Sequence, residues 1–235
     1  MSDLTSRLRE IEERTEAALG SLEHAARGRW AEALAVYRAA GAEVDALGIP
    51  KNDPAYKDAR RIRAYLYLRE ANALRALGRP AEAWPLGDLE LDAAMASGDS
   101  ITIARSMFSL GGTCLANGEF ERGLKLLDDS KAIFEHKDDL EHRQGLGWWH
   151  LIQADISNGG IARTDPQYAL EMGSKALEIL RPLENWPGVA RAHAARAKAY
   201  EQLGDGEAAQ VAHTAQKMAE EMLRRQGHEH HHHDH

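Results

Sequence analysis

Glycines divide this chain at near-regular intervals. Gly28, Gly78, Gly118, the pair Gly159-Gly160 and Gly204 stand 40 to 50 residues apart, each between two runs whose apolar residues recur at helical spacing. Leu4, Leu8, Ile11 and Ala18 set that spacing at the start. Glycine enters the left-handed backbone that ends a helix without a Cβ clash, so its recurrence predicts a series of helical hairpins of similar length. One hairpin leaves an apolar face bare, and stacking on the next hairpin covers it. The chain is thereby directed to an all-α architecture of about five stacked hairpins. Composition agrees: aromatic residues make up only 6%, clean strand alternation is absent, and alanine, leucine, glutamate and arginine, all good helix formers, dominate.

Helix starts are legible as well. Asp53-Pro54 and Asp165-Pro166 pair a capping carboxylate with a proline in the first turn, where no N–H is needed. Asp99 and Asp205 follow glycine and read as caps too. Three places break the pattern. LGIPKNDP lengthens the first connection, GGIARTDP is inserted in the fourth hairpin, and Pro85 with Gly87 falls inside the second helix of the second hairpin. Proline there is expected to kink or delay that helix.

The stretch MFSLGGTCLANGEFERGLKLLDDSKAIF, residues 107–134, resembles a tetratricopeptide repeat. Met107, Leu110, Cys114, Phe120 and Leu127 supply bulk, Gly111 and Gly123 supply close approach, and Gly118 turns the chain. Residues 24–40 match on Gly28, Trp30, Ala33, Tyr37 and Ala40; residues 72–84 on Leu74, Gly78 and Ala83; residues 197–212 on Ala197, Tyr200, Gly204, Asp205 and Ala209. The period of ~40 residues is similar to the long variant of kinesin light chains and bacterial signalling regulators rather than the 34-residue form. The resemblance covers roughly residues 3–226. It implies a right-handed α-solenoid over 1–226, with an irregular helical bundle as the alternative, and leaves 227–235 as a disordered His-rich tail.

By resemblance such a chain is a protein-binding scaffold or adaptor, with the first helix of each hairpin lining a concave groove. The residues expected on that face are Tyr65, Leu68, Arg69, Asn72 and Arg75, then Arg105, Phe108, Ser109 and Gly112, then Arg191 and Lys198. Of the Trp148-Trp149 pair, one ring is expected in the core and the other, assigned to Trp149, on the groove, with both rings in the core as the alternative. Charge sharpens the expectation. Residues 54–78 carry six basic and two acidic side chains, whereas residues 79–98 carry one basic and four acidic ones. A basic inner helix suits an acidic peptide or carboxylate held by arginine forks; the alternative is a solvated face laced with i,i+4 pairs.

Other classes find little support. The 29 basic and 37 acidic residues give a net charge of −8, which disfavours non-specific nucleic-acid binding. There is no P-loop, nucleophile elbow or dinucleotide fingerprint, so neither an enzyme nor a cofactor is expected. Cys114 is the only cysteine and sits at a packing position. No apolar leader or membrane span is apparent, which makes the cytoplasm the expected compartment. The tail GHEHHHHDH could bind nickel or zinc loosely through His228, His230, His231, His232, His233 and His235. A metal-linked accessory role through that tail is the alternative function.

Overall fold

The computed structural model describes residues 3–24, 29–159 and 164–233, with side chains described over 3–18, 29–159 and 164–227. The described residues form helices joined by turns: α1 (Asp3–His24), α2 (Trp30–Ala46), α3 (Tyr56–Ala76), α4 (Pro80–Ser97), α5 (Ser100–Ala116), α6 (Phe120–Glu135), α7 (Leu140–Gly159), α8 (Pro166–Leu180), α9 (Trp186–Gln202) and α10 (Gly206–His233). The chain is an all-α solenoid, as its periodicity implies. It divides into two compact units, Met1–Ser130 and Lys131–His235.

In the first unit each helix from α1 to α5 packs on the next, and α1, α3 and α5 also pack on one another in that order. That connectivity is what layered hairpins require. Its core holds Leu8 and Ile11 of α1, Leu34, Tyr37 and Val44 of α2, and Ile62, Leu66 and Leu74 of α3. The second unit repeats the scheme: α7, α8, α9 and α10 pack in sequence, and α7 also meets α9. Its buried side chains include Leu151, Ala154, Met172, Leu180, Val189 and Ala197.

Close approach depends on missing Cβ atoms. A Cβ on Gly123 would stand 2.9 Å from the Gly111 carbonyl oxygen and 2.9 Å from Leu115 Cγ, so α5 and α6 cross at a pair of facing glycines. Ala83 of α4 is likewise buried, at 1% exposure. The turn glycines behave as read: Gly78, Gly118 and Gly204 have φ of 74°, 83° and 78°. Gly28 and Gly160 lie outside the described residues.

Asp99 caps α5, its carboxylate accepting from Thr102 N at 3.3 Å and Thr102 Oγ1 at 2.5 Å. Asp165 accepts from Tyr168 N at 3.1 Å and Asp205 from Ala208 N at 3.1 Å. Two expectations need correction. Asp53 is not the cap of α3: its Oδ1 accepts from Ala55 N at 2.8 Å in a turn ahead of the helix, and Ala55 occupies the N-cap position. Pro85 does not delay α4, which starts at Pro80 and continues to Ser97. Proline removes only the N–H that would reach Ala81, and both residues are exposed, so water can satisfy that carbonyl.

Candidate functional site: a cleft on α1, α3 and α5

In the first unit a cleft of about 210 Å³ opens between α1, α3 and α5, with one residue of α4 reaching into it. Helix α3 supplies Arg61, Ala64, Tyr65 and Leu68, on one face at spacings of three and four residues. Helix α1 supplies Glu12 and Glu16, and α5 supplies Thr102, Arg105 and Ser106. The α4 contribution is Glu90, only 3% exposed. Sequence reasoning missed it, counting Glu90 only as one of the four acidic residues of 79–98. The signal was present: Glu90 stands seven residues after Ala83 and four before Ala94, on the buried stripe of α4.

The polar groups are arranged in pairs. Tyr65 donates its hydroxyl to Glu16 Oε1 at 2.5 Å, and the Arg69 guanidinium lies over the Tyr65 ring, 5.2 Å from its centroid. Burial and the Glu16 carboxylate push the Tyr65 phenol up to about 12. Arg61 binds Glu12 at 3.2 Å and Asp58 at 3.3 Å. Glu90 accepts a hydrogen bond from the Ser106 hydroxyl and feels the Arg75 charge, yet burial dominates and raises its carboxyl to about 8. At neutral pH it is held mainly in the protonated form.

Of the residues expected on this face, Tyr65, Leu68 and Arg105 line the cleft. Arg69 covers the Tyr65 ring. Asn72 and Arg75 lie further along α3, where Arg75 donates to Asn72 Oδ1 at 3.1 Å and to Thr113 Oγ1 at 3.2 Å. Burial works against the Arg75 charge and lowers its pKa. Phe108, Ser109 and Gly112 are half-buried on α5. Much of the positive charge of α3 is met within the chain: Arg61 by Glu12 and Asp58, and Arg63 by Asp45 through two bonds of 3.0 Å.

The remaining three residues belong to the second unit. Trp149 is not on an open face. It is 5% exposed, with Lys131 Nζ 4.4 Å above its ring and His150 edge-on at 5.2 Å. The half-buried member is Trp148, whose ring lies 5.4 Å from the Arg191 guanidinium. Adjacent helical residues diverge by about 100°, and here the inward direction fell to the second tryptophan. Arg191 also pairs with Asp155 at 3.3 Å. Burial raises the Asp155 carboxyl, while Arg191 and the exposed Lys198 pull it back down. No group of three metal-ligating side chains occurs among the described residues. The tail histidines expected to bind metal lie outside the described side chains.

The architecture is a tetratricopeptide-like helical-repeat fold. No protein-family model matches the sequence, and no curated protein sequence matches it. The similarity is to solved structures. BtubC (BKLC) from P. vanneervenii superposes with a TM-score of 0.62 at 16% identity, covering 95% of this chain and 93% of that one. The nearly identical TPR-like repeats of a putative kinesin light chain from Podosopora anserina give 0.52 at 20% identity, covering 96% of this chain and all of theirs. A variant of those repeats gives 0.53. These likenesses establish the fold, in agreement with the repeat read from residues 107–134.

Proposed function

We propose that this protein is a helical-repeat scaffold that binds a segment of another protein along the face shared by α3 and α5. The observation that carries this reading is the cleft itself. It is open, part apolar through Ala64 and Leu68, and rimmed by polar groups already held in place by one another. A preformed surface of this kind binds with little ordering cost. At the C-terminal end of α3, Arg75 and Asn72 orient each other and offer a place for a carboxylate or peptide carbonyl of the partner.

The test is a library of short peptides displayed on phage and selected on the full chain. Selected peptides are expected to lose at least about tenfold in affinity, roughly 1.4 kcal/mol, on the double variant Leu68→Asp/Arg105→Glu, with an unchanged unfolding midpoint. Equal binding to that variant would remove the α3–α5 face as the site.

A further inference from the structure

We propose that the cleft between α1, α3 and α5 is a pocket for a lysine side chain of the bound segment, with Glu90 as its counter-charge. The inference deepens the scaffold reading and rests on it. It differs from the acidic-partner expectation, because the cleft ends at a buried carboxyl that no cation among the described residues contacts in a salt bridge.

Glu90 carries it. A carboxyl at 3% exposure is costly to bury without a partner. Glu90 nevertheless forms no salt bridge among the described residues: its hydrogen bond is to Ser106, and Arg75 acts on it only through its charge. The Arg75 fork is directed at Asn72 and Thr113 instead. Arg61, on the same cleft wall, is occupied by Glu12 and Asp58. Glu16 is tied to Tyr65, and Arg105 stands at the exposed rim. The cleft thus leads from an exposed mouth, past Tyr65, Leu68 and Ala64, to one deep carboxyl. That profile fits lysine: a four-carbon stem lies along the apolar wall and a compact ammonium meets a point acceptor. A guanidinium prefers two parallel acceptor oxygens, and Ser106 already occupies part of the Glu90 carboxyl.

The charge balance gives the interaction a signature. In the free protein Glu90 carries a proton at neutral pH. An ammonium brought to within about 4 Å favours the carboxylate, so docking forms one ion pair and releases the Glu90 proton to solvent. Affinity should accordingly rise as pH approaches 8, the range in which the free carboxyl gives up its proton unaided.

The experiment uses the full chain and two probes, acetyl-Ala-Ala-Lys-Ala-Ala-amide and its norleucine counterpart. Calorimetry at pH 7 in two buffers of different ionisation enthalpy counts the protons released. The lysine peptide is expected to bind at least about tenfold more tightly than the norleucine peptide and to release up to one proton. Glu90→Gln, which keeps shape and removes the charge, should abolish both the preference and the proton release. In the wild-type protein, carbon-13 titration of the Glu90 carboxyl should show its pKa falling by about a unit or more when the lysine peptide is present. Equal binding of the two peptides, no binding of the lysine peptide at millimolar concentration, or an unmoved Glu90 titration would each overturn the pocket. Any of these alongside phage-selected peptides that still need Leu68 and Arg105 would leave the scaffold reading standing.

Discussion

Single residues decide where the helices of this repeat can meet. At the α5–α6 crossing, a Cβ at position 111 would stand 3.0 Å from Leu127 Cγ and 3.1 Å from the Gly123 carbonyl oxygen. The second contact is with backbone, which has no rotamer to change. Gly111→Leu and the milder Gly123→Ala are each expected to overpack the crossing and lower stability by about 1–3 kcal/mol, read as a lower urea midpoint. An unchanged midpoint in both would mean that α5 and α6 do not cross at these glycines. This contact was legible because small residues among bulky ones mark close approach. Glu90 and the tryptophan pair were less so. A glutamate between Leu89 and Leu91 reads as solvent-facing unless the whole register of α4 is fixed, and Pro85 obscured that register. For Trp148 and Trp149, adjacency alone cannot tell which ring turns inward; Lys131 over Trp149 and Arg191 over Trp148 show it only in three dimensions.

At the level of elements, caps and breakers set the helix lengths. The Asp99 carboxylate satisfies an N–H that the first turn of α5 leaves open. Asp99→Ala is expected to cost about 0.5–2 kcal/mol, and faster amide exchange at Thr102 and Ile103 would localise the loss to the start of α5. Exchange rates at those amides matching wild type would argue against the cap. The opposite sign is expected at Pro85. It is the sixth residue of α4, beyond the turn where proline is harmless, and alanine there restores the bond to the Ala81 carbonyl. Pro85→Ala should therefore raise the urea midpoint, and a lowered midpoint would show that the rigid ring contributes more through the unfolded chain than the missing bond costs. Element positions followed from glycine and aspartate placement because those residues act locally. Asp53 shows the limit: an Asp-Pro step can form a turn ahead of the helix as readily as a cap, and the neighbouring geometry chooses.

Over the whole molecule, the hairpin scheme was readable from spacing, since repetition needs only a period and an apolar face. The charge balance of α3 was not, because Glu12, Glu16 and Asp45 reach α3 from other helices, and no window along the chain contains them. That arrangement also gives the chain two opposite responses to pH. In the second unit, burial lowers His150 to about 4, helped by Lys175 and Lys131 and opposed by Glu135. Burial lowers His193 to about 4 as well, helped by Arg181 and Arg196. Both rings stay neutral in the fold while the unfolded chain protonates them near 6.5. Below pH 6.5 the unfolded state binds more protons, so stability falls by up to about 1.4 kcal/mol per pH unit per histidine until pH nears 4. Glu90 acts in the other direction. Its folded value of about 8 lies above the ordinary 4.5, so between those limits the unfolded chain has lost a proton that the fold retains. Stability therefore falls as pH rises through this range and levels off above 8. Between 6.5 and 8 the two histidines are neutral in the fold and shed their last protons in the unfolded chain, so the difference between the wild-type and Glu90→Gln curves isolates Glu90. Urea midpoints of the wild-type chain are expected to fall relative to those of Glu90→Gln across that window. Below 6.5 the double variant His150→Gln/His193→Gln should lose the acid decline. Parallel curves for wild type and Glu90→Gln between pH 6.5 and 8 would mean that the cleft holds an ionised carboxylate from the outset, and docking of a cation would then release no proton.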